Sequence, residues 1–135
     1  VERTAKGSRQ MLKNAGIFGS FSVNDLEKAR EFYGKTLGVG VERVDEMPVI
    51  NIGGENGVMI YEKPDHIPAT FTVLNFRVED LESTMNELRS RGVHFEAYDM
   101  EGLKTDADGV LTHGEMSIAW FKDPAGNILS VLEEK

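Results

Sequence analysis

The sequence predicts an α+β fold in which two βαβββ units form a cupped mixed sheet around a cavity. Three observations carry that expectation: a repeat at fixed offset, two-residue alternation in the runs after each copy, and Gly or Pro at the run ends. The repeat sets "SFSVNDLEKAREF" (residues 20–32) over "NFRVEDLESTMNE" (residues 75–87). Phe21 falls on Phe76, Val23 on Val78, Asp25 on Asp80, Leu26 on Leu81 and Glu27 on Glu82, always 55 positions apart. Two copies at so long a period indicate a duplicated module, not a solenoid.

Each copy opens with a strand that runs into a helix. In the first strand Phe21 and Val23 share one face, opposite Phe18, Ser20 and Ser22; in the second Leu74, Phe76 and Val78 lie opposite Val73, Asn75 and Arg77. The apolar stripes belong under the helices. The opposite faces mix bulky apolar groups with hydroxyl, amide and guanidinium, which reads either as a semi-polar cavity wall or as a solvated open sheet. Asn24 or Asp25 can cap the first helix, with Glu27 closing a capping box on Asn24, and Asp80 caps the second. Leu26, Ala29, Tyr33 and Leu37, and then Leu81, Met85 and Leu88, give each helix one apolar side. Gly38 and Gly92 follow as C-caps.

Three further strands are expected in each copy. In the first they are "GVERV", "PVINIG" and "GVMIYEK", the last two joined by a hairpin at Gly53-Gly54-Glu55-Asn56-Gly57. In the second they are "VHFEAYDM", "MSIAWFKD" and "NILSVLEE", separated by a loop over 101–114 and by the turn Asp123-Pro124-Ala125-Gly126-Asn127. Pro64, Asp65 and Pro68 mark a linker at 64–70. Residues 11–135 thus form a single domain, with one module at about 15–63 and the other at about 71–135. Residues 1–10 are polar, lack a periodic apolar side and precede Met11, and they read as a leader or an expression remnant.

Composition narrows the classes of function. Without residues 1–10 the chain carries 12 Lys+Arg against 22 Asp+Glu, a formal charge of −10 in place of −8. Such a surface repels nucleic acid and anionic membranes, so neither is an expected partner; it would favour cationic ligands or serve solubility alone. No apolar run reaches the length of a membrane span. The absence of cysteine removes disulfides, thiolate metal sites and cysteine nucleophiles, and fits a cytoplasmic location.

Other chemistry is thinly represented. His113-Gly114-Glu115 has the H-x-E spacing of a zinc deaminase but lacks the two cysteines that chemistry needs. A displaced metal site using His113, Glu115 and Glu62 is the remaining metal arrangement. His66 sits in the linker and His94 after the second helix, neither with a helix-spaced ligand partner. Ser20 lies in Gly-Ser-Phe-Ser at the start of a strand, which is not a nucleophile elbow.

The duplicated layout, with "FSVNDLEKAREFYGKTLG" and "FRVEDLESTMNELRSRG" opening the halves and "FKDPAGNILSVLEE" ending the chain, resembles the vicinal oxygen chelate superfamily. That superfamily includes glyoxalase I, bleomycin-resistance proteins and extradiol dioxygenases. The resemblance covers about residues 15–135 and implies the glyoxalase/bleomycin-resistance fold. In metal-dependent members it implies a His at the first strand of each module and a Glu in each last strand. Those places fall on Phe18, Val73, Ser130 and Met59 or an immediate neighbour. Phe18 and Val73 cannot coordinate a cation, so no metal and no cofactor is expected here.

What the resemblance implies is therefore a metal-free protein that binds a small organic molecule between its modules, as a homodimer. The expected ligand-binding residues are Phe18, Ser20, Met59, Val73, Asn75, Arg77, Trp120 and Ser130, with no catalytic residue assigned. If buried, Arg77 would need an internal carboxylate or an anionic ligand. The alternatives are a lyase, isomerase or dioxygenase relative working through a displaced metal or through Glu62 and Glu115 as acids, and an interaction module using its sheet edges.

Overall fold

A computed structural model of the chain describes residues 11–44, 46–54 and 57–135. The expected leader, residues 1–10, lies outside the described residues. The elements in chain order are β1 (Gly19–Val23), α1 (Leu26–Glu31) continuing as a π turn (Phe32–Thr36), β2 (Val41–Arg43), β3 (Val49–Ile52), β4 (Val58–Glu62), β5 (Thr72–Arg77), α2 (Leu81–Ser90), β6 (Asp99–Met100), β7 (Leu103–Lys104), β8 (Val110–His113), β9 (Met116–Lys122) and β10 (Ile128–Glu134). The strands form two four-stranded mixed sheets, β1-β4-β3-β2 and β5-β10-β9-β8, with β6-β7 as a separate hairpin. The α+β class is as expected from the sequence. In each large sheet the first strand pairs in parallel with the last, Phe21 opposite Ile60 and Phe76 opposite Val131, so the duplication is visible residue by residue.

The helices start and stop where the chemistry dictates. Asp25 accepts from the Lys28 amide at 3.1 Å and Asp80 from the Ser83 amide at 3.0 Å. Asp25, not Asn24, is the first cap, and Glu27 turns outward to Arg30 and Arg43 instead of closing a capping box. Past Glu31 the Leu37 amide reaches back five residues to the Phe32 carbonyl at 2.9 Å. Such a π turn inserts one residue into the helix ladder, and here it leaves Tyr33 fully buried. In the β3–β4 hairpin a Cβ on Gly57 would sit 1.7 Å from the Ile52 carbonyl oxygen, so only glycine fits.

Phe21 and Val23 of one sheet and Leu129, Val131 and Phe121 of the other belong to a single buried cluster with Leu26, Ala29, Leu81, Met85 and Leu88 of the helices. The two helix-bearing faces therefore look toward each other across one core. Their reverse faces look outward, on opposite sides of the chain. The two sheets of the expected α+β fold thus stand back to back about this core.

A polar knot fastens the halves inside that core. Asp123 Oδ1 accepts from the amides of Ala125 and Asn127, and Oδ2 accepts from Tyr33 Oη at 2.7 Å and from Asn127 Nδ2 at 3.0 Å. Asn127 Nδ2 also donates to the Ser22 carbonyl of β1 at 2.9 Å. Burial, reinforced by the Asp123 charge, pushes the Tyr33 hydroxyl far above the usual phenol range. The turn is thus more than a reversal: it satisfies the first module's strand from the second module.

The second module departs from the sequence expectation at its edge. "VHFEAYDM" is not one strand; Phe95 bridges Phe121, the Glu96 amide donates to the Trp120 carbonyl, and the chain then leaves the sheet. It returns as β8, which continues antiparallel along the rest of β9, inside the segment expected to be loop. Residues 97–109 are therefore an excursion interrupting one edge strand. Alternation alone could not show it, because Tyr98 and Met100 keep the segment apolar enough to read as strand.

Candidate functional site

The outward face of the N-terminal sheet carries one continuous transverse row. Ser20 pairs with Met59, Met59 with Asn51, and Asn51 with Glu42, all pointing to the same side. Phe18 stands at the entrance to β1 and is 65% exposed. Of these, Phe18, Glu42, Asn51 and Met59 line, with Val44, Met47, Val49 and Val58, a depression of about 540 Å³. The side chains of Ser20, Asn51 and Glu42 make no hydrogen bond or ion pair among the described residues. Arg43, next to Glu42, lies on the opposite side of the strand, against Glu27 of α1.

The C-terminal sheet carries the matching row, Asn75–Ser130–Trp120. Ser130 is fully buried and donates its hydroxyl to Asn75 Oδ1. Trp120 is buried, donates its ring N–H to Thr72 Oγ1 at 3.0 Å and receives Tyr98 edge-on at 5.5 Å between centroids. Tyr98 comes from the 97–109 excursion, and burial with the nearby Glu96 charge raises its pKa. Arg77 needs no buried partner: its side chain is 78% exposed and meets Glu134 at 3.1 Å.

Seven of the eight expected residues therefore divide between two faces. Phe18, Ser20 and Met59 stand on one; Asn75, Arg77, Trp120 and Ser130 on the other. Val73 does not join its neighbours as expected. The register steps from Ile128–Thr72 to Leu129–Leu74, skipping it, and Val73 packs against the buried cluster. Such an irregularity re-aims the unpaired side chain. Glu42, Asn51 and Tyr98 were missed. Asn51 had a signal, a lone amide in the apolar run "PVINI"; Glu42 became informative only once the register placed it beside Asn51.

The residues at the superfamily's metal positions do not form a metal site. The equivalence of Met59 and Ser130 is fixed by register, since Met59 pairs with Ser20 as Ser130 pairs with Asn75. Phe18, Val73 and Met59 offer no hard donor, and the Ser130 hydroxyl is committed to Asn75. Among the described residues no three His, Asp or Glu side chains converge on a point. Glu62, His113 and Glu115 are exposed. His66 lies between Ser22 Oγ, at 2.6 Å from Nδ1, and the Ala125 carbonyl, at 3.2 Å from Nε2. A carbonyl only accepts, so Nε2 carries a proton, and the ring ties the linker to both modules. No described helix is long and apolar enough to cross a membrane.

Comparisons with known proteins agree with this architecture. A family model described as Glyoxalase/Bleomycin resistance protein/Dioxygenase superfamily matches residues 18–131. Among solved structures, the chain is similar to TnmS3, titled an antibiotic binding protein, from Streptomyces sp. CB03234 (21% identity, 90% of this chain and 98% of that one, TM-score 0.65). It is also similar to a superfamily member from Sphaerobacter thermophilus DSM 20745 (22% identity, 87% and 97%, TM-score 0.65). A third is a glyoxalase/dioxygenase from Nostoc punctiforme (16% identity, 93% and 93%, TM-score 0.65). At these identities the structures speak to fold alone. No curated protein matches. The family match spans most of the chain and coincides with the duplicated βαβββ layout, and the chain belongs to the Glyoxalase/Bleomycin resistance protein/Dioxygenase superfamily.

Proposed function

We propose that the protein is a metal-free binder of small organic molecules that works as a homodimer. The observation carrying this reading is the depression of about 540 Å³ on the N-terminal sheet, lined by Phe18, Met47 and Met59 with Asn51 and Glu42 among them. Its size, its mostly apolar walls and its few unengaged polar groups are what a small-molecule site requires. The likeness to a structure titled an antibiotic binding protein supports the same reading. Because the outward faces of one chain point apart, a cavity between modules needs two copies. The N-terminal face of one protomer then meets the C-terminal face of its partner, bringing Phe18, Ser20 and Met59 opposite Asn75, Arg77 and Trp120, with Ser130 holding Asn75 from beneath.

Trp120 is the sole tryptophan and stands on the C-terminal face, so its emission reports ligand entry. Light scattering after size exclusion is expected to give twice the 15.0 kDa chain mass. A library of apolar aromatic compounds is expected to contain members that change Trp120 emission saturably. A strictly monomeric protein whose emission no compound alters would overturn the reading. Elemental analysis of protein purified without chelator tests the metal-free part, which a stoichiometric transition metal would refute.

A further inference from the structure

We infer that the N-terminal face selects organic cations, with Glu42 as the counter-charge and Phe18 as an aromatic wall; this rests on the ligand-binding reading above and assigns the ligand's chemical class. Glu42 is the only ionisable residue among the described groups lining the depression. Its side chain has no ion pair or hydrogen bond among the described residues. Strand alternation turns the adjacent cation, Arg43, to the opposite side of the sheet, where it meets Glu27 at 3.4 Å. Asn51 and Met59, which line the depression beside Glu42, bring an amide oxygen and a thioether, both acceptors for an ammonium N–H. Phe18, 65% exposed at the rim, offers a ring face to a cation.

Within one chain, charge therefore enters this depression with one sign only, and Arg77, brought opposite it in the dimer, is already paired with Glu134 at 3.1 Å. An anionic ligand would meet an uncompensated carboxylate and a formal chain charge of −8. A neutral aromatic would gain apolar contact but leave the Glu42 carboxylate facing it without a partner. A primary amine on the same aromatic frame gains both contacts.

The test uses one ring system in three charge states: 1-naphthylmethylamine, 1-naphthalenemethanol and 1-naphthoate. These are titrated into the full chain and followed by NMR at the Asn51 side-chain amide and the Met59 methyl. The amine is expected to bind about 5-fold more tightly than the alcohol, and the acid most weakly. Glu42→Gln is expected to bring the amine down to the alcohol's affinity while leaving the alcohol unchanged. Glu82→Gln, which removes the same charge from an exposed position on α2, is expected to leave the ranking intact. If all three compounds bind equally, or if Glu42→Gln and Glu82→Gln weaken the amine alike, the charge inference falls and the pocket stands. If none perturbs Asn51 or Met59, the pocket reading fails and this inference with it.

Discussion

On the C-terminal sheet Ser130 gives its hydroxyl to Asn75, and Trp120 gives its ring N–H to Thr72 under the edge of Tyr98. At the corresponding places on the N-terminal sheet, Met59 has no proton to give and Ser20 has no side-chain partner among the described residues. The strand order and the parallel first-to-last pairing are the same in both. Duplication kept the scaffold and let the outward rows diverge, one closed upon itself and the other open with a carboxylate exposed. The backbone ladder specifies register, so an outward row is free to change provided that any polar group it buries keeps a partner. A shared fold therefore says little about which face binds what.

The largest effect that would probe this contrast lies where the halves meet. Asp123→Ala removes four accepted hydrogen bonds and leaves the buried Tyr33 hydroxyl and Asn127 amide without their carboxylate, so a loss of about 3 kcal/mol in urea unfolding is expected. A loss below about 1 kcal/mol would mean that this knot adds little to the other contacts between the halves. Next comes the closed row. Asn75→Ala orphans the buried Ser130 hydroxyl and is expected to destabilise by about 2 kcal/mol. The double variant with Ser130→Ala should recover part of that loss in a double-mutant cycle.

The alkaline limb gives a smaller, pH-dependent effect. The folded-state pKa of Tyr33 is raised above its unfolded value, so its contribution is fully present below about pH 10, the ordinary phenol value. It declines as pH rises further, because only the unfolded chain releases that proton. At pH 11 the loss is expected to be about 1 kcal/mol relative to pH 9, and Tyr33→Phe should flatten that slope. The smallest effect belongs to the open row. Ser20→Ala, the counterpart of the Asn75 change 55 residues on, is expected to shift stability by less than about 0.5 kcal/mol. A large loss there would show that the N-terminal face is as self-contained as the other.

The sequence was informative where local chemistry and global position agree. Asp25, Asp80, Gly38 and Gly92 mark helix ends by mechanisms confined to a few neighbouring residues, and the structure has them there. Phe21 with Val23, and Leu74 with Phe76, were assignable because alternation has only two phases. What escaped were facts of pairing between distant segments. The back-to-back arrangement depends on which faces share a core, and alternation does not say whether a face meets its own chain or another. The split edge at Phe95 and Val110 depends on β9 accepting two separate partners along one side. Glu42 gained meaning only through its distance from Arg43's side of the strand, which no composition reveals.

The contact between Asn127 and the Ser22 carbonyl spans 105 residues of chain. On the ribosome, the first half emerges long before its latch exists, and β1 must wait with that carbonyl hydrated. Native structure is then completed only after residue 127 has emerged, and contacts of such long sequence separation are the slow ones to form. A nascent chain stalled ahead of residue 123 would expose the apolar underside of its first sheet to whatever chaperone is at hand.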